Sequence, residues 1–296
     1  MTTPSLTLFY IVEPPDYQIM ACMLLASIRQ NFGPEVKAVG YCPEHCMGEL
    51  DPAVLKAHAM AGAEVRPMKT EGMWDEPYPH GNKIVACLQK RETEFSAFVD
   101  SDVLFLEPNT PSALVKPGHV SCSMAASMQW GDHATWERIY AHFDMPVPEE
   151  RLVLMRQKAL GPVVPYFSAG FILFPEAAGP QGRFPDVWYD TARELDRDTD
   201  LPKRRPYLDQ MTLPLAIQRA GMRWNILPEE EHFILGGQLR GKPLPKNRGI
   251  KTVHYRNFAV LRETGLMATG RAMQREEFGV AYIRNLNGAA AEEEEA

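Results

Sequence analysis

The chain has 296 residues, 45% of them apolar and 23% charged. That is ample material for a large core, and it excludes a disordered tail protein, a collagen and a disulfide-stapled miniprotein. Net charge is −7, from 38 acidic against 31 basic residues, and the run Glu292 to Glu295 supplies four of the acids; the remaining body is near neutral, unlike the basic surface a nucleic-acid binder needs.

Along the chain, residues 6–12 form an apolar run that predicts a buried strand, stopped by Pro14-Pro15. Asp16 is placed to cap a helix whose inward stripe is Met20, Met23, Leu24, Ser27 and Ile28. A strand is expected over 36–41, then a helix capped by Asp51 and closed by Gly62, then a strand over 63–68. Residues 82–91 read as a helix and 95–100 as a strand. Further strands are expected over 119–126, 166–174, 222–227 and 251–255, and helices over 130–143, 209–220 and 273–286. Segments 175–185 and 236–246 read as loops. This alternation predicts an α/β domain with a mainly parallel sheet. One domain is expected over 1–287, followed by an acidic low-complexity tail over 288–296, expected to be disordered. Five scattered cysteines, no basic leader and no apolar run of about 18 residues predict a cytoplasmic protein with buried thiols and no membrane span.

The segment Phe95 to Pro108 carries the clearest chemical signal. An apolar strand runs into Asp100 and Asp102, and alternate residues of extended chain point the same way, so the two carboxylates converge. Converging acids repel each other, and a divalent cation relieves the repulsion. In open α/β sheets this place, past the carboxyl end of a strand, is where ligands bind. Four other segments stand in order around it: Asn82-Lys83-Ile84, Ser168-Ala169-Gly170 opening an apolar run, Tyr207-Leu208-Asp209-Gln210, and Val253-His254-Tyr255.

Together these segments resemble the DxD element and its companions in GT-A glycosyltransferases. They are most similar to glycosyltransferase family 8, which includes glycogenin and bacterial lipopolysaccharide galactosyltransferases. The resemblance spans roughly residues 6 to 256. It implies the GT-A fold, a mixed, mostly parallel central sheet flanked by helices. It implies transfer from a nucleotide-diphosphate sugar, a uridine nucleotide being expected, to a carbohydrate, lipid-linked or protein acceptor, with retention of configuration. Asp100, Asp102 and His254 then ligate Mn²⁺ or Mg²⁺, a mixed N/O donor set suited to such an ion. Lys83 touches the donor sugar or phosphates. Ser168, Ala169 and Gly170 approach the sugar, with Ser168 where the family has Asn. Asp209 binds sugar hydroxyls, and Gln210 lies by the anomeric carbon. The first strand and its turn, from Tyr10 to Glu13, sit near the base and ribose. The family's Gly and Lys after the late His are absent. Arg256, Arg248 and Lys246 are the candidates to replace that lysine at the diphosphate, the choice among them staying open from sequence, and Arg grips phosphate in bidentate fashion.

Three other readings stay open from sequence. An inverting enzyme would need a carboxylate base, for which Asp209 and Glu107 are candidates. A non-catalytic nucleotide-sugar binder would share the fold, and a phosphohydrolase of the haloacid dehalogenase type also uses DxD after a strand. Cys42 and Cys46 with His45 lack the second cluster of a structural zinc site. Lys203 to Arg205 reads as a solvated loop, Trp130, Trp136 and Trp188 as core, and His80 has no assigned role.

Overall fold

The computed structural model describes residues 3–201, 203–236 and 239–287; the acidic segment 288–296 lies outside the described residues. Ten strands and nine α-helices are assigned among the described residues. The main sheet has seven strands in the order β3 (Glu64–Met68), β2 (Lys37–Pro43), β1 (Leu6–Ile11), β4 (Phe95–Val99), β7 (Phe167–Pro175), β6 (His119–Met124), β8 (Arg223–Leu227). Only β7 runs antiparallel to its neighbours in this sheet. The chain lays β2 and β3 on one side of β1 and then crosses to place β4 on the other. The order therefore reverses between β1 and β4, and their carboxyl ends flank a cleft.

Alternation along the central strands builds two cores. Leu6, Leu8 and Tyr10 of β1, with Phe171 and Leu173 of β7, pack on α1 (Tyr17–Phe32), α2 (Pro52–Met60) and α9 (Met267–Phe278). Phe9, Ile172 and Phe174 point the other way, onto α3 (Asn82–Leu88), α5 (His133–His142), α6 (Phe184–Asp196) and α7 (Arg204–Arg219). The expected stripe of α1 is buried throughout. Asp51 caps α2 by accepting from Ala53 N, whereas Asp16 sits before α1 without a side-chain capping bond. Trp130, Trp136 and Trp188 are buried.

A second, small sheet has the order β5 (Val103–Phe105), β10 (Thr252–His254), β9 (Phe233–Ile234). It is formed by the apolar run after the two acids, which pairs antiparallel with β10. Two short helices complete the assigned set, α4 (Pro111–Leu114) and α8 (Phe258–Glu263). Among the described residues no helix is long and apolar enough to cross a membrane.

Several boundaries differ from the sequence expectation. Helix α3 stops at Leu88 rather than 91, because Arg91 folds back and donates to the Ala86 and Cys87 carbonyls. Helix α5 starts at His133 because Asp132 and Thr135 form a reciprocal capping box. Helix α9 spans Met267–Phe278, not 273–286. Gly279, at φ 75°, ends it in the left-handed region and donates to the Arg275 carbonyl. Helix α6 was not expected at all.

Candidate active site

The two acids sit in a turn tied to three other strands. Asp100 N donates to the Gly170 carbonyl of β7 at 2.8 Å, and Ser101 Oγ donates to the Ile11 carbonyl of β1. The Asp102 carbonyl accepts from Tyr255 N, just after β10, at 2.9 Å. Pinned this way, both side chains meet the imidazole of His254. Its Nε2 lies 3.1 Å from Asp102 Oδ1 and 3.9 Å from Asp100 Oδ2. One ligand atom from each of the three residues lies within 4.8 Å of the others. Gly170 makes room for this group: a Cβ there would stand 2.7 Å from Asp100 Oδ2 and 3.0 Å from His254 Nδ1. His254 Nδ1 is buried with no partner among the described residues. Two carboxylates and one imidazole, close enough to share a coordination shell, fit a divalent cation.

Lys83 on α3 and Asp209 on α7 complete a buried charge cluster. Lys83 Nζ lies 3.0 Å from Asp100 Oδ1 and 3.2 Å from Asp209 Oδ2. Burial opposes the lysine's charge, but Asp100 and Asp209 outweigh it and raise the pKa. Burial also pushes the Asp100 pKa up, with the Asp102 charge adding to it, against the pull of Lys83. For Asp102 the burial penalty is overcome by the charge and hydrogen bond of His254, so its pKa is lowered. His254 is correspondingly raised, because Asp102 and then Asp100 outweigh its burial. Asp209 Oδ1 is buried without a partner among the described residues. Helix α7 is non-helical at Arg205, so Asp209 and Gln210 fall near the start of its regular part, aimed at the cleft.

The cleft has two joined lobes that share Lys83, Asp100, Tyr207, Gln210, His254 and Arg256. One lobe, of about 600 Å³, is walled by Glu13, Tyr17, His80, Asn82 and Asp102. That size falls within the range of small-molecule sites, roughly 300–1,000 Å³. The smaller lobe is walled by Ser127, Gln129, Ser168, Ala169 and Gly170. Ten sequence-expected residues thus meet in one place: Lys83, Asp100, Asp102, Ser168, Ala169, Gly170, Asp209, Gln210, His254 and Arg256.

Tyr10 does not join them. It falls on the opposite face of β1, wholly buried beside His58, while Ile11 and Glu13 reach the cleft. Of the three candidate phosphate cations, Arg256 alone lines the cleft; Arg248 is turned to Glu229 and Glu230, and Lys246 is exposed elsewhere. Glu107 is exposed and lies outside both lobes.

His232 is a residue that sequence reading missed. It is wholly buried, its ring 5.1 Å from that of His254, and its Nε2 lies 3.1 Å from Ser168 Oγ. Burial first, and then the charge of His254, holds its pKa well below the usual range, so it is neutral. No motif marks it. The only signal is its position immediately before the apolar Phe233 to Leu235.

The mostly parallel sheet, with paired acids at its topological switch point, has the GT-A fold, and the family model that the chain matches makes it a glycosyltransferase, resembling family 8. The chain belongs to the Rhodobacterales glycosyltransferase domain family, whose model matches residues 8–221. Solved structures agree on the fold. The galactosyltransferase LgtC, in complex with donor and acceptor sugar analogues, superposes with a TM-score of 0.54 at 13% identity, over 89% of this chain and 95% of that one. Mouse xyloside xylosyltransferase 1 gives 0.50 at 12% identity, over 86% and 97%. The bifunctional glycosyltransferase WbbM gives 0.51 at 14% identity, over 86% of this chain but 46% of its own length. No curated protein matches the chain in sequence.

Proposed function

We propose that this protein transfers a sugar from a nucleotide-diphosphate donor, expected to be a uridine nucleotide, to a carbohydrate, lipid-linked or protein acceptor, with retention of configuration. The observation that carries the reading is the convergence of Asp100, Asp102 and His254 with Lys83, Asp209 and Gln210 on one two-lobed cleft. Asp100, Asp102 and His254 would hold Mn²⁺ or Mg²⁺, which supplies Lewis-acid stabilisation of the departing diphosphate. Arg256 offers a second cation at the cleft wall, suited to phosphate oxygens.

Lys83 fixes the orientation of Asp100 and Asp209 by bridging them, and so ties the diphosphate side of the cleft to the sugar side. The unpartnered Oδ1 of Asp209 is available to accept from a sugar hydroxyl. Gln210 lines both lobes, where the anomeric centre would stand. Among the similar structures is an LgtC active-site mutant with glutamine changed to glutamate. Retention is supported by the fate of the two base candidates: Asp209 is ion-paired to Lys83, and Glu107 lies outside the cleft. Asp100 is likewise ion-paired, which argues against its use as a phosphohydrolase nucleophile. A cytoplasmic location accords with five free thiols, four of them buried.

The test is a panel of nucleotide sugars scored for Mn²⁺-dependent thermal stabilisation and for release of free nucleotide. Stabilisation with turnover supports the reading, and stabilisation without turnover for any acceptor or water would leave a binding protein. Asp102→Asn should lose the Mn²⁺ dependence while keeping its melting temperature.

A further inference from the structure

We propose that His232 is a positioning residue that makes Ser168 a hydrogen-bond donor toward the transferred sugar, an inference that rests on the function proposed above. A neutral imidazole carries one N–H, on either nitrogen. Here Nε2 faces Ser168 Oγ at 3.1 Å, and Nδ1 is buried with no partner among the described residues. A proton on Nδ1 would leave a buried N–H with no acceptor. A proton on Nε2 leaves only a lone pair unmatched, and buried orphan donors are the rarer of the two. The geometry therefore selects the Nε2–H tautomer, with the imidazole donating to Ser168 Oγ.

The consequence lies in the serine. Its Oγ also accepts from Gly170 N, at 3.3 Å. A hydroxyl has two lone pairs and one proton. With His232 and Gly170 on the lone pairs, the remaining capacity is the O–H, and Ser168 lines the smaller lobe beside Ala169 and Gln210. Ser168 thus offers the sugar a donor only. An Asn at that place would offer both a donor and an acceptor.

The first measurement is the tautomer, read from ¹⁵N–¹H correlation spectra of histidine-labelled protein. A protonated Nε2 at His232 is expected, and a protonated Nδ1 overturns the proposal. The second is calorimetric binding, with excess Mn²⁺, of UDP and of whichever of UDP-glucose, UDP-galactose, UDP-xylose and UDP-N-acetylglucosamine the wild type binds tightest. Ser168→Ala and His232→Phe should each weaken the nucleotide sugar about five- to tenfold, the loss of one neutral hydrogen bond, with UDP affinity unchanged. The double variant should be no weaker than Ser168→Ala, since both act through one hydroxyl. His232→Gln, whose amide N–H₂ can donate to Oγ, should restore binding. Equal losses for UDP and the nucleotide sugar, additive losses, or wild-type binding by Ser168→Ala overturn it, the last even if His232→Phe fails to fold. A wild type that binds UDP-sugars but variants that match it sink this inference alone; a wild type that binds none sinks the proposed function with it.

Discussion

Replacing Gly170 by alanine isolates the steric condition for the candidate metal site. Gly170 lies within β7, away from the left-handed region, so the backbone accepts an alanine and the whole effect is spatial. The added methyl would stand 2.7 Å from Asp100 Oδ2 and 3.0 Å from His254 Cε1 and Nδ1. To regain ordinary contact near 3.4 Å, the carboxylate must withdraw by about 0.7 Å and the imidazole by about 0.4 Å. Neither is free to swing, because Asp100 is held by Lys83 and by its own backbone bond, and His254 is packed against His232. Metal–ligand distances tolerate only about ±0.2 Å. A displacement of several times that tolerance should weaken Mn²⁺ binding at least tenfold, about 1.4 kcal/mol. Calorimetric titration of Mn²⁺ in the presence of UDP, beside a circular-dichroism melt, reads the two consequences separately. Mn²⁺ affinity within twofold of wild type, with a normal melt, would refute the assignment of this triad as the metal site.

Other perturbations separate the remaining roles. Lys83→Met leaves Asp100 and Asp209 buried without their shared cation, so it should cost about 3 kcal/mol in urea unfolding and weaken donor binding; an unchanged midpoint would show that the pair is not coupled through the lysine. Gln210→Ala should lower turnover at least tenfold with donor affinity nearly unchanged, while Asp209→Ala should chiefly weaken nucleotide-sugar binding relative to UDP; steady-state kinetics with binding data would expose the reverse pattern. His58 is buried and neutral, its pKa lowered to about 4 by burial, against the hydrogen bond to the Val54 carbonyl. Its unfolded form protonates as pH falls through about 6.5 while the folded form does not, so stability should drop between about pH 6.5 and pH 4 and then level off for this group. The loss from pH 7 to pH 5 should be about 2 kcal/mol larger in wild type than in His58→Leu, which keeps the parallel contribution of His232; equal slopes in urea titrations would contradict this.

The local signals in the chain were strong where one strand or helix carried its own pattern. The apolar run into Asp100 and Asp102, the stripe of α1 and the Asp51 cap all appear where their residues predict them. Helix α6 was hidden by punctuation: Gly and Pro crowd residues 175–185, yet Phe184, Trp188, Ala192 and Leu195 recur every three or four positions and bury one face. Tyr10 shows the opposite failure, since a one-residue choice of face on β1 decides between core and cleft, and the apolar run leaves that choice open. His232 was illegible for a different reason. Its meaning comes from the small sheet, where Ile234 pairs with His254, and no spacing in the chain announces that pairing.

The turn after β4 leaves the large sheet with Asp100 and enters the small one just after Asp102, while His254 returns to it from about 150 residues further along. Anything gripped by all three therefore staples the two sheets together across a very long loop, and occupancy becomes part of the tertiary structure. The family match ends at residue 221, ahead of β8, β9 and β10. A chain cut at that boundary would keep both carboxylates but forfeit the imidazole, Arg256, His232 and the partner strand of β5. The smallest unit able to close the grip thus reaches past the matched segment, to His254 at least.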